Sequence, residues 1–179
     1  LIKKPILPLD KVDNFIIIVG NSGERWGYIK DEEERMYFIG NEVYSIDHKG
    51  RVFIPAKFRS VLTKEDENSF YIARGFETSL LLFPLSRWNE FIKELSNRKY
   101  SQKSIREAIR AFSYGAERLS MDSQGRVVLP KELRDYSRIE DEVFFLGAID
   151  KIELWSPVVY EKYSKGSSDI NELYSKLGI

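Results

Sequence analysis

The chain has 179 residues, 42% hydrophobic and 13% aromatic, enough for one ordinary domain or two small ones. Lys plus Arg and Asp plus Glu number 28 each, so attraction to nucleic acid must come from local clustering rather than global charge. The lack of cysteine excludes disulfides, thiolate metal sites and a cysteine nucleophile; no apolar run approaches the roughly 18 residues of a membrane span, and the expected setting is the cytoplasm, with no membrane partner.

The most apolar early stretch, Phe15 to Gly20, is long enough for a single strand. Val43 to Ile46 reads as a strand, Asp47 as a residue able to bond backbone N–H groups ahead of it, and Gly50 as the positive-φ residue that closes a tight turn. Arg51 to Ile54 is a second strand, and Pro55 opens a helix through Leu62 with Phe58, Val61 and Leu62 inward. Strands near Phe70 to Arg74 and Leu80 to Phe83 follow. An amphipathic helix then starts about Ser86, with Trp88, Phe91, Ile92 and Leu95 on one face. Ser104 to Glu107 has capping-box spacing ahead of the apolar stripe Ile105, Ala108, Ile109 and Phe112. The other face is basic, with Arg98, Lys99, Lys103, Arg106 and Arg110 nearby, and reads most simply as a solvated surface. The order then recurs: a strand to Met121, a turn at Ser123 to Gly125, a strand to Leu129, a helix from Pro130, strands near Val143 to Leu146 and Lys151 to Trp155, and a helix from Pro157. After Tyr163 the tail is rich in serine and charge, and is read as helical or disordered.

The recurrence is a duplication. The pattern D-x-x-G-R-V-x-[IL]-P runs from Asp47 to Pro55 and again, 75 residues on, from Asp122 to Pro130. It aligns Gly50 with Gly125, Arg51 with Arg126, Phe58 with Leu133 and Arg59 with Arg134. Past a shortened loop an offset of 72 pairs Gly75 with Gly147, Leu82 with Leu154 and Phe83 with Trp155. Boundaries of 40–83 for the first unit, 84–115 for a helical connector, 116–159 for the second unit and 160–179 for the tail follow. Units this small are expected to share one core.

Two copies of this motif at this spacing, closed by LLLFP and by IELWSP, resemble the MraZ family of bacterial transcriptional regulators. The resemblance runs from Met36 to about Tyr163. It implies an α+β fold of two tandem AbrB-like units with pseudo-two-fold symmetry, small β-barrel-like sheets and flanking helices. It further implies a homo-oligomeric ring on the nucleoid that binds double-stranded DNA with direct repeats ahead of its own division and cell-wall operon, usually as a repressor. The family's D-x-x-x-R signature falls on Asp47 and Arg51 and on Asp122 and Arg126, and its first arginine is the usual DNA contact.

That assignment suits the chemistry, because a guanidinium fork can bond two acceptors of guanine or brace a phosphate. Lys49, Arg51, Lys57 and Arg59 face one acidic residue, Asp47, between Tyr44 and Leu62; in the second copy Arg126, Lys131 and Arg134 are balanced by Asp122, Glu132 and Asp135. The first copy is therefore expected to dominate, with Arg51, Lys49, Arg126, Lys57 and Arg59 as DNA-binding candidates and Asp47, Gly50, Asp122 and Gly125 as turn-stabilising ones. The competing readings are that each Asp–Arg pair only locks its turn, that Arg59 and Arg134 serve in salt bridges, and that the chain is a protein-binding scaffold without DNA readout. Catalysis, a metal and a cofactor are not expected: the sole histidine, His48, lies in a turn and is replaced by Ser123 in the other copy, and no phosphate loop or nucleophile motif occurs.

Residues 1–35 have no counterpart in the family pattern and are read as a disordered or mistranslated leader ahead of Met36, with a strand in a genuine extension as the alternative. The codons of Glu32 to Arg35 permit a purine-rich run before Met36. Those of Val19-Gly20, Ser22 to Glu24 and Arg25 to Gly27 permit three GTGG elements about ten bases apart, one DNA turn, as a translated operator would.

Overall fold

The computed structural model of the chain describes residues 15–19, 25–29, 36–98, 101–166 and 169–178. Strands β1 (Phe15–Val19) and β2 (Arg25–Ile29) form an antiparallel pair, Phe15 opposite Ile29 and Val19 opposite Arg25. The early apolar stretch is thus a strand; the other residues of 1–35 lie outside the described ones.

The first half continues with β3 (Asn41–Ser45), β4 (Arg51–Phe53), α1 (Ala56–Arg59), β5 (Ser69–Arg74), β6 (Leu80–Pro84) and α2 (Leu85–Ser96). After α3 (Lys103–Ser113) the second half repeats it as β7 (Glu117–Ser120), β8 (Arg126–Val128), α4 (Lys131–Ser137), β9 (Glu142–Ala148), β10 (Lys151–Trp155) and α5 (Pro157–Gly166). The tail is helical, α6 (Ile170–Leu177), started by Asp169, whose carboxylate accepts the Asn171 N–H at 2.8 Å.

The strands of the two halves interleave. One antiparallel sheet has the order β3-β9-β10-β6-β5-β7, and exchanging each strand for its counterpart in the other half returns that order reversed. The expected pseudo-two-fold is therefore present, as one shared open sheet; the described residues form no closed barrel. A separate ribbon pairs β4 with β8, Val52 opposite Val127, so the pseudo-axis passes between these valines. Two further bonds extend it symmetrically, from Ile54 N–H to the Gly125 carbonyl (3.0 Å) and from Leu129 N–H to the Gly50 carbonyl (2.8 Å).

The core is built from matched pairs: Val52 and Val127, Ile54 and Leu129, Phe58 and Leu133, Leu82 and Leu154, all buried in one cluster with Phe70, Ile72 and Phe145. Each such side chain contributes about 1.5–3 kcal/mol by leaving water. Separating the halves would strip this contribution from both. On the sheet's flanks, α2 stacks Trp88 on Tyr71 (4.5 Å) and Phe91 on Phe83 (5.3 Å), with Phe112 of α3 completing the cluster; α5 sets Tyr160 and Tyr163 against Trp155 in the corresponding place.

Four local expectations are corrected. The helix after Pro55 ends at Arg59 rather than Leu62, because Val61 and Leu62 close back on Phe58 and Arg59 with tighter i,i+3 bonds, although both still face inward. Ser104 lies inside α3, whose N-cap is Gln102 without a side-chain bond, so the capping-box spacing is not used. Ile92 is exposed, since the packed stripe of α2 runs through Trp88, Phe91 and Leu95. Finally, Ile72 faces Leu82 as Phe145 faces Leu154, which makes Arg74 rather than Gly75 the counterpart of Gly147 in the repeat.

Gly147 is required for close approach. A Cβ there would sit 2.6 Å from both Ile39 N and the Phe38 carbonyl carbon, where the segment ahead of β3 crosses β9. Gly147→Ala is expected to destabilise the protein by about 1–3 kcal/mol in urea unfolding, because backbone rather than a side-chain end must shift.

Candidate nucleic-acid interface

The two signature turns are locked alike. Asp47 Oδ1 accepts the N–H groups of Lys49 (2.9 Å) and Arg51 (3.0 Å), while Oδ2 accepts Arg51 Nε at 2.6 Å. Asp122 Oδ1 accepts Gln124 N–H and Arg126 N–H, both at 2.9 Å, and Oδ2 accepts Arg126 Nε at 2.8 Å. Gly50 and Gly125 bend each turn at φ of 77° and 80°. The Arg51 backbone N–H, followed by its guanidinium and the Lys49 N–H, holds the Asp47 carboxyl at about 2, against the opposing effect of lost solvent. The Asp122 carboxyl is lowered likewise, first by the Arg126 N–H and then by its guanidinium.

The ribbon brings the turns together. Because Val52 and Val127 point into the core, strand alternation turns Arg51, Phe53, Arg126 and Val128 to the outer face, with Arg51 opposite Val128 and Phe53 opposite Arg126. The two arginines are not equivalent. Arg126 has both Nε and Nη2 at 2.8 Å from Asp122 Oδ2 and its guanidinium 5.7 Å from the Phe53 ring centre. Arg51 is held through Nε, and among the described residues its terminal nitrogens make no hydrogen bond.

A second pair of arginines crosses between the halves. Arg59 donates Nε to the Ile54 carbonyl (3.1 Å) and lies over Gly125, where a Cβ would meet its Nη1 at 2.7 Å and its Cδ and Cζ at 3.0 Å. Arg134 donates Nε to the Leu129 carbonyl (3.2 Å) and lies over Gly50. Among the described residues neither forms an ion pair, so the salt-bridge reading of this pair is replaced by backbone bracing. Arg59 also lines a shallow hollow with Asn68 and the turn from Asp122 to Gly125. Each turn thus gains a cation from the other half, a contribution that local sequence could not reveal.

Lys49 is exposed beside Arg51, with no ion pair among the described residues. Lys57 does not belong to this surface. Its side chain is 4% exposed, and its ammonium donates to the Asn41 carbonyl (2.9 Å) and pairs with Glu42 at 3.0 Å, so its candidacy as a DNA contact is corrected: the strand that precedes it in sequence covers it. In the connector Arg98 and Arg110 are exposed, Lys103 faces Glu107 at 3.6 Å and Arg106 donates to the Ser101 carbonyl (3.0 Å), which is a solvated helix face; Lys99 lies outside the described residues. Among the described residues no group of His, Asp and Glu could hold a metal ion, and no helix is long and apolar enough to cross a membrane.

A family model described as "MraZ protein, putative antitoxin-like" matches residues 37–110 and 112–173, one segment for each half. Curated relatives named transcriptional regulator MraZ are similar over most of the chain. The one from Caldanaerobacter subterraneus is 36% identical over 133 residues, covering 74% of this chain and 90% of the relative. Those from Moorella thermoacetica and Clostridium acetobutylicum are 35% and 34% identical, covering 74% and 79% of this chain and 90% and 99% of the relatives.

Two outcomes test this geometry. Between the ordinary carboxyl value of 3.8 and about 2 the folded chain binds fewer protons than the unfolded one, so the stability added by the Asp47 lock is complete above about pH 4 and lost as pH falls through about 2. NMR titration of the Asp47 carboxyl carbon measures this, and a midpoint near 3.8 would contradict the lock. In a double-mutant cycle read by urea unfolding, Gly125→Ala should cost about 1 kcal/mol less when combined with Arg59→Ala, because the added methyl then has no guanidinium to displace, while the positive-φ strain is common to both arms.

Proposed function

The chain belongs to the MraZ family of transcriptional regulators, and from that premise we propose that it represses its own division and cell-wall operon by reading GTGG-type direct repeats in double-stranded DNA. The observation that carries the reading is the ribbon, which sets Arg51 and Arg126 on one outward face at the pseudo-axis, with Lys49 beside them. A two-stranded β-ribbon fits the major groove, and an arginine fork matches O6 and N7 of guanine, the prevalent base of such repeats. Arg51 is the principal base contact because Asp47 orients it through Nε alone, and Lys49 reaches phosphate from the turn. Arg126 contributes less, being held at two nitrogens and stacked near Phe53. Arg59 and Arg134 lie against the turns, each adding positive charge to the turn of the opposite half.

Single contacts of this kind are modest. A ring of copies, each presenting one ribbon to a successive repeat, multiplies them through effective concentration and holds the protein on the nucleoid. Fluorescence anisotropy with a duplex carrying GTGG repeats one turn apart, against a scrambled duplex, tests the reading. Arg51→Ala is expected to lower specific affinity about tenfold or more with the circular dichroism spectrum unchanged, and Arg126→Ala to lower it less. Wild-type affinity should fall steeply with salt. Unchanged affinity of the Arg51 variant would overturn the assignment, and salt-insensitive capture of a protein would favour the scaffold instead.

A further inference from the structure

Phe53 is 44% exposed at one end of the ribbon's outer face, although phenylalanine is among the residues most often buried. Its neighbour Val52, 1% exposed, takes the core position, and the period of two leaves Phe53 no inward direction. The fold does not call for a ring there, since the pseudo-equivalent residue is Val128, 54% exposed. Phe53 is also flanked by cations: Arg126 lies directly across the ribbon and Arg51 two residues earlier on the same face. An apolar group between two arginines, on a ribbon of a size to enter the major groove, matches one feature of duplex DNA. The C5-methyl of thymine is the apolar group that the major groove presents beside the guanine acceptors.

We infer that Phe53 is a base-reading residue whose ring packs on a thymine methyl next to a guanine bonded by arginine, in the single thymine of each GTGG element. The inference rests on the proposed function and adds to it, since arginine forks alone read the guanines. Its chemistry requires only contact between the ring and the methyl, and it gives a reason for the partial exposure of Phe53 in the free protein. In the free protein the same ring is shielded on one side by the Arg126 guanidinium, which limits the cost of leaving it in water.

Replacing that thymine by deoxyuridine removes the methyl and leaves pairing intact. In anisotropy titrations of the full chain on duplexes with GTGG repeats, wild type should bind the thymine duplex about fourfold tighter than the deoxyuridine duplex for each methyl contacted, the transfer value of one CH2 group. Phe53→Ala should weaken binding to the thymine duplex and bind both duplexes equally. Arg51→Ala should weaken both while keeping their ratio. Wild-type indifference to deoxyuridine, or a Phe53 variant that retains the full ratio, would overturn the inference while leaving the regulator reading intact. Failure of wild type to prefer repeats over scrambled DNA would overturn both.

Discussion

The antiparallel contact between Val52 and Val127 is the constraint on which the rest of the molecule depends. Here a strand of one half meets its own counterpart, as β6 and β10 do at the middle of the large sheet, and this contact fixes two things at once. On the inner side it closes the paired core of Ile54, Leu129, Phe58 and Leu133. On the outer side it sets the register that brings Arg51, Phe53, Arg126 and Val128 onto a single face. Core and proposed recognition surface are therefore two sides of the same three-residue strands, and a slip of one residue would exchange them.

The turns are held by a device that doubles as a presentation mechanism. Each aspartate uses one oxygen for two backbone N–H groups and the other for the arginine Nε, so a single carboxylate fixes both the loop and the direction of the side chain. The crossed arginines add the second constraint. Arg59 and Arg134 each bond a carbonyl of their own half and lie over the glycine of the other, so neither turn can move without disturbing the opposite helix. The fold and the proposed interface thus share the same hydrogen bonds.

Much of this was legible from sequence because it is local. Asp47, Gly50 and Arg51 lie within five residues, and the chemistry of an Asx turn with a positive-φ glycine is contained in that span. The repeat carried the same inference to Asp122, Gly125 and Arg126. What escaped was set by contacts distant in the chain. Lys57 reads as a surface cation until Asn41 and Glu42 fold over it. Arg59 shows no sign in its own segment that Gly125 is its neighbour. The outward position of Phe53 follows from strand alternation once Val52 is known to be central, but nothing in its own copy says that Arg126 is across from it.

The inequality of the two halves gives the molecule a heading. A homodimer with an exact two-fold presents identical ends and so suits inverted half-sites, whichever way it is laid on the duplex. Here the fused halves differ at the tip: a lightly tethered Arg51 beside Val128 at one end, and a doubly held Arg126 beside Phe53 at the other. Such a body has a direction along its ribbon, like an arrow rather than a bar. Polar units laid side by side in one sense match sequences written head to tail, which is the arrangement that tandem same-strand motifs possess and palindromes lack.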